Sequence, residues 1–361
     1  MNMKIGFVIY GALDTLSGGY LYDRMLVEYL RAQGDTVEII SLPWRNYAAH
    51  LTDNFTFKLP PNLDMLIQDE LNHPSLIAAN RKKHPYPVVS LVHHLRCSEL
   101  RPQWQNIFYR VIEKQYLQSV DGFIFNSQTT QKAVNGVMEN GKPCVVAYPP
   151  TDRFGEAISE EEISQRAISD ELRILFLGNI IERKGLHTLL DAVKDVTQNA
   201  SKSQRSKVLV DVIGSLTSDP DYAAQMQEFV KVNSLSSLVT FHSSLNNQPL
   251  IEKLKNAHIL VVPSSYEGFG IVYLEGMAFG LPAIGTTAGA AGEVIDDGAT
   301  GFLIQPGNSQ SLAAKLQIMN EKRDLLVQMS LAARSRYLAQ PKWNQTANQI
   351  RVFLQSMIQT T

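Results

Sequence analysis

Two glutamates eight residues apart, Glu267 and Glu275, bracket a Gly-Phe-Gly bend in the stretch PSSYEGFGIVYLEGMAFGLPAIGT, residues Pro263–Thr286. With a helix opening near Gly270, Glu267 lies in the loop beyond a strand end and Glu275 sits about one and a half turns inside the helix. Backbone amides from Phe269 through Gly270 and Ile271 to Val272 would then point outward at the helix N-terminus, where partial positive charge gathers. One carboxylate can accept hydrogen bonds from sugar hydroxyls while the other holds a second polyol. The ordinary readings are a helix-face Glu at 275 and a dipole-favoured Glu ahead of a helix at 267.

A second cluster is LGNIIERKG, Leu177–Gly185. It lacks the second Gly before Lys and the Ser/Thr after it, so it is not a P-loop. What it offers is two adjacent cations, Arg183 and Lys184, at a helix start, a place to neutralise a diphosphate. A solvated Arg-Lys pair is the plain alternative. Near the N-terminus, Gly18-Gly19 in LSGGY can let backbone N–H groups approach an anion, but the dinucleotide pattern G-x-G-x-x-G is missing, which disfavours a nicotinamide dehydrogenase. His93-His94 closes the strand-like YPVVSLV. Successive strand side chains point to opposite faces, so only one of the two imidazoles should enter the site, and a two-His metal site is disfavoured. Asp219-Pro220-Asp221 is formally D-x-D, yet Asp followed by Pro reads as an N-cap and first helical residue. The sequence shows no other carboxylate cluster for a divalent ion, so the expectation is no metal and no cofactor.

These residues need a scaffold. Short apolar runs alternate with helical-period stretches: KIGFVIY, TVEIIS, DMLIQD, YPVVSLV, DGFIFN and PCVVAY, then LRILFLG, KVLVDVIG, LVTFH, AHILVVP, LPAIGT and GFLIQ. Unalternated apolar strands between helices, such as Tyr20–Ala32, Gln103–Gln118, Leu186–Asp195 and Tyr222–Val232, argue α/β architecture with parallel sheets covered on both faces. The rhythm breaks across Pro149–Asp170, where Glu160-Glu161-Glu162 makes the most linker-like text in the chain. Two Rossmann-like domains follow, 1–165 and 166–341, with the amphipathic stretch Lys342–Met357 crossing back so that 342–361 joins the first. Ligands bind beyond the carboxyl ends of such strands, in a cleft that the two domains would share.

The composition agrees with a two-domain globular chain. Its 361 residues are 44% hydrophobic, with 33 Lys+Arg against 35 Asp+Glu, giving no electrostatic footprint for nucleic acid. Cys97 and Cys144 have no metal or redox spacing, so a reducing cytoplasm is expected. MNMKIGFVIYGAL reads as a first buried strand over Lys4–Tyr10 rather than a leader, since no A-x-A-like site follows. No stretch is apolar enough to span a bilayer.

Taken together, the glycine pair, GNIIERKG, SxxEGFGIxxLEGMAxGxP and AGEVIDDGATGFLIQPGN (Ala291–Asn308) resemble the retaining glycosyltransferases of family 4, with their E-x7-E motif. The resemblance implies the GT-B fold, two facing Rossmann-like domains, and a nucleotide-diphosphate-sugar donor, UDP or GDP. It implies that Arg183 and Lys184 neutralise the donor phosphate, Glu275 holds the ribose and Glu267 contacts the transferred sugar. It also implies that backbone at Phe269-Gly270-Ile271 donates to sugar and phosphate, Gly18 and Gly19 cover the phosphates, and His93 lies near the donor sugar. Asn179 stands where the family commonly has Arg, and Phe241-His242-Ser243 departs from its aromatic-x-Gly near the base.

The expected reaction is metal-independent transfer to a hydroxyl of a sugar, lipid or glycan. A nucleotide-sugar epimerase or hydrolase on the same fold, and a catalytically silent sugar-binding subunit, are the alternatives. The acceptor side would include Trp44–Phe57 and Leu95–Arg110. The latter carries Arg96, Arg101 and Arg110 with Trp104 and Phe108, and would meet solvent, an acidic glycan or anionic lipid headgroups. The expected location is the cytoplasm, with peripheral contact at the inner membrane face among the open alternatives.

Overall fold

The protein is described by a computed structural model covering residues 2–15, 17–139, 141–150, 152–155, 157–199 and 207–359. Leu16 of the glycine loop falls outside them. Each apolar run of the sequence forms a strand, because an unalternated run can be buried on both faces of a parallel sheet. The first six are β1 (Lys4–Tyr10), β2 (Thr36–Leu42), β3 (Met65–Asp69), β4 (Val88–Val92), β5 (Gly122–Phe125) and β6 (Cys144–Val146). The second six are β7 (Glu171–Leu177), β8 (Lys207–Ile213), β9 (Val239–His242), β10 (Ile259–Val261), β11 (Ala283–Thr286) and β12 (Gly301–Ile304). They make two six-stranded sheets, ordered β2-β1-β3-β4-β5-β6 and β12-β11-β10-β7-β8-β9. Every pairing is parallel. Each sheet reverses its order of growth once, at β1/β3 and at β7/β10, and side chains at such a point converge beyond the strand ends.

The chain divides into two compact units, Met1–Pro150 with Pro341–Thr361, and Thr151–Gln340. In the first, Ile5, Phe7 and Ile9 bury one face of β1 under the helices Gly18–Ala32 and Trp343–Gln359. The C-terminal helix presents Trp343, Ala347, Ile350, Leu354 and Met357 inward, a stripe spaced by alternating fours and threes. Arg351 fixes its register through a two-pronged bond to buried Asp35, at 2.7 and 3.0 Å.

The boundary falls after Pro150, ahead of the expected 165/166, for a physical reason. The stretch read as linker contains a helix, Glu160–Arg166, with a capping box: Ser159 Oγ accepts from Glu162 N while Glu162 accepts from Ser159 N. The acidic run is that helix's first turn, where the helix dipole favours negative charge. Arg166 donates to the carbonyls of Phe279 and Gly280, and Ile158 N to that of Ala278, so this segment is sewn to the second unit.

Candidate functional site

In the second unit, the loops after β7 and β10 meet across the switch point. The 3-10 turn Glu182–Lys184 ends at Gly185, whose φ is +72° and where a Cβ would stand 2.2 Å from the carbonyl oxygen of Pro263. Only glycine permits both that conformation and that approach, so the loop carrying Arg183 and Lys184 lies directly on the loop carrying Glu267. Arg183 Nη1 donates to the carbonyl of Tyr266 at 2.8 Å, and Ser265 N donates back to the carbonyl of Arg183 at 2.8 Å. Lys184 Nζ donates to Glu267 Oε1 at 2.5 Å, and Ser264 Oγ donates to the same oxygen at 2.6 Å. On its other side the Glu267 carbonyl accepts from Ala290 N at 2.8 Å.

Glu267 is 6% exposed. Burial drives its carboxyl upward, but the Lys184 and Arg183 charges and the two hydrogen bonds outweigh burial and hold it below the ordinary value. The same burial lowers the Lys184 ammonium, against the pull of Glu267. The result is two adjacent cations and one ionised carboxylate fixed on one rim. Lys184 has three donors and Arg183 five, so each keeps N–H groups beyond those bonded to the protein.

Gly270 has φ +89° and begins the helix Ile271–Met277 without a side-chain cap, as the spacing of Glu267 and Glu275 implies. Phe269 is buried. Glu275, inside that helix, is also buried, and it has a partner that sequence spacing does not disclose. Arg153 Nη1 donates to Glu275 Oε1 at 2.6 Å and its Nη2 to Asn247 Oδ1 at 3.1 Å. Burial raises the Glu275 carboxyl despite the Arg153 charge. Asp219 is the N-cap of the helix Pro220–Val232, accepting from Tyr222 N at 3.1 Å. His242, at the position of the altered base loop, is tied with Lys253 to Asp211, at 2.6 and 2.8 Å.

In the first unit, Gly18 opens its helix and Gly19 lies under the His93 ring, where a Cβ would stand 3.3 Å from His93 Cδ2. His93 Nε2 donates to Asp23 Oδ1 at 2.9 Å, and His94 turns the other way to Glu99, also at 2.9 Å. Gly19 and Asp23 are one turn apart on the same helix face, a spacing legible in the sequence, and both serve His93. Asp23 Oδ2, fully buried, has no hydrogen-bond partner among the described residues.

The first unit also corrects the reading that no further carboxylate cluster exists. Oxygen and nitrogen atoms of Asp23, Asp69 and His93 converge within 4.8 Å of one another, as do those of Glu70, His73 and Glu113. They come from the ends of β3 and β4 and from three helices, Gly18–Ala32, His73–Asn80 and Gln103–Leu117, so no local spacing announces them. Burial pushes Asp69 up to about 7, Glu70 to about 8 and Glu113 to about 7. Burial alone would lower His93, but the Asp23 charge and hydrogen bond, with Asp69, lift it to about 9. Protons therefore do the neutralising in this cluster.

Two doubly wound units on parallel six-stranded sheets are the GT-B architecture, and solved structures match it along essentially the whole chain. A sucrose-phosphate synthase from Thermosynechococcus elongatus superposes with a TM-score of 0.82 at 18% identity, covering 100% of each chain. HepE from Anabaena, in complex with UDP-glucose, superposes with a TM-score of 0.75 at 18% identity, covering 98% of this chain and 100% of that one. Residues 158–336, a stretch inside the second unit, match the family model of glycosyl transferases group 1. An uncharacterized glycosyltransferase of Methanocaldococcus jannaschii is 32% identical over 149 residues, which is 41% of this chain and 38% of that protein. The chain thus spans well under half the length of this curated relative.

Proposed function

We propose that the protein is a retaining glycosyltransferase of family 4 that moves a sugar from a nucleoside-diphosphate donor to a hydroxyl acceptor, with no metal ion or other cofactor. The observation that carries this reading is the Lys184–Glu267 pair with Arg183 beside it, at the β7/β10 switch point. In the reaction, the bond from the anomeric carbon to the diphosphate oxygen breaks and a bond to the acceptor oxygen forms on the same face. Negative charge grows on the departing phosphate as an oxocarbenium-like sugar develops. Arg183 and Lys184 stabilise that phosphate with fixed cations, the task a divalent ion performs elsewhere. A departing phosphate oxygen takes the acceptor proton, so no separate base is required.

Glu267, held ionised by Lys184, faces the transferred sugar, and Glu275 takes the ribose hydroxyls. Gly270 and Ile271 contribute backbone N–H groups to the donor. In the first unit, His93 donates toward the sugar, with Gly18 and Gly19 in the phosphate loop. Because HepE is known with UDP-glucose, UDP-sugars are the first donors to try, followed by GDP-sugars.

The test is a donor screen by nucleoside-diphosphate release, with and without an acceptor panel, followed by mass and anomeric analysis of products. Acceptor-dependent release with retained configuration is expected. Inverted product would overturn the retaining assignment. Free sugar without acceptor would make the protein a hydrolase, isomerised donor an epimerase, and tight binding without turnover a binding subunit.

A further inference from the structure

The helix Gln103–Leu117 turns its two faces the wrong way for a solvated helix. The side packed on the first unit carries Glu113, Tyr116 and Leu117, all buried. Trp104, Ile107, Phe108 and Val111 are exposed by 69%, 56%, 45% and 54%, and Leu100, just ahead of the helix, by 67%. Offsets of three, four and seven residues put the four helical positions on one stripe, about 180° from the centre of the buried face at 3.6 residues per turn. A solvated helix carries polar residues there; this one carries a continuous apolar ridge led by a tryptophan.

Cations frame the ridge. Exposed Lys114 flanks it, and exposed Arg110 bonds to the Gly136 carbonyl. At the C-terminal end of the helix, Arg81 bonds to Gln115, which brings the exposed run Arg81-Lys82-Lys83 beside it. The helix's own acid, Glu113, is buried on the far side, accepting from Arg96 N at 2.5 Å. Arg96 and Arg101 lie over the Tyr109 ring, at 4.7 and 5.3 Å, and steady the N-terminal approach. No helix among the described residues is long and apolar enough to cross a membrane.

We propose that this ridge and its basic rim form a docking surface for an anionic lipid bilayer, the helix lying in the plane of the headgroups. Trp104, Ile107, Phe108 and Val111 enter the acyl boundary, and Arg81, Lys82, Lys83, Arg110 and Lys114 meet lipid phosphates. The inference goes beyond the transfer reaction and needs no turnover for its test. Charge complementarity selects the occupant: an apolar ridge alone would suit a second copy, but a second copy would set these five cations against their own kind.

The test is co-sedimentation of the full chain with phosphatidylcholine vesicles, with and without phosphatidylglycerol. Binding to the anionic vesicles should be at least about tenfold stronger, fall with added salt, and shift tryptophan emission to the blue. Trp104→Ser/Phe108→Ser should abolish it with an unchanged circular-dichroism spectrum. Lys82→Ser/Lys83→Ser should weaken only the anionic component. Equal binding to both vesicle types, or full binding by the Trp104→Ser/Phe108→Ser variant, would overturn the proposal. So would self-association of the chain, seen by sedimentation velocity, that the same double substitution abolishes, or capture on an acidic glycan without vesicle binding.

Discussion

At the β7/β10 switch point a buried carboxylate meets a partly buried ammonium, Glu267 against Lys184. At the β1/β3 switch point of the other unit, Asp23 and Asp69 gather round His93 while Glu70 and Glu113 gather round His73, and burial lifts Asp69 and Glu70 toward their protonated forms. Both are rims of doubly wound sheets, and both remove acids from water. The second unit compensates with cations that keep donors for a ligand, whereas the first compensates with protons. A site built on fixed cations suits an anionic leaving group; a site built on shared protons suits neutral hydroxyls, whose hydrogen bonds work in either direction.

The largest expected effect comes from breaking the compensated pair. Lys184→Ala leaves Glu267 buried without its main partner and should cost about 3–5 kcal/mol of unfolding free energy. Lys184→Ala/Glu267→Gln removes both charges and should recover most of that loss, measured by denaturant unfolding with a double-mutant cycle. A full loss in the double variant would show that packing, not charge pairing, holds the loop.

A smaller effect separates the two units by pH. His93 is raised to about 9 and Glu70 to about 8, so the folded first unit binds more protons than the unfolded chain between pH 6.5 and 9. Its stability therefore falls as pH rises through that window. His73, lowered to about 4, opposes this only near pH 6.5, where the unfolded chain's imidazole is still releasing its proton. Glu267 is lowered, so its contribution is present above the ordinary glutamate value and is lost on acidification. Native-state hydrogen exchange, corrected for intrinsic rates, should show protection in β1, β3 and β4 falling at least about tenfold from pH 6.5 to 9. Protection in β7 and β10 should fall below pH 4.5 instead, and parallel profiles in the two units would erase the distinction.

How much of this could be read from the chain follows from range. Each strand announced itself locally, since a run such as KIGFVIY has no exposed face to alternate. The Glu160–Arg166 helix was equally local, in the S-x-x-E spacing of Ser159 and Glu162, but its lack of an apolar strand made it look like linker. Arg183, Lys184, Glu267 and Glu275 stand in compact motifs, so their grouping was legible, and the Lys184–Glu267 bond was not. Arg153 on Glu275 spans 122 residues and leaves no periodic trace. The buried acids Asp23, Asp69, Glu70 and Glu113 are likewise joined only by topology. The apolar stripe of Gln103–Leu117 was visible as residues, but which way it faced depended on what the helix packs against.

The most direct test of the donor grip is calorimetric titration of UDP and GDP into the wild type and into folded Lys184→Ala. The nucleotide that binds the wild type should bind the variant at least about tenfold more weakly, about 1.4 kcal/mol. Unchanged affinity, in a variant whose fold is verified by circular dichroism, would contradict the assignment of the diphosphate to Arg183 and Lys184.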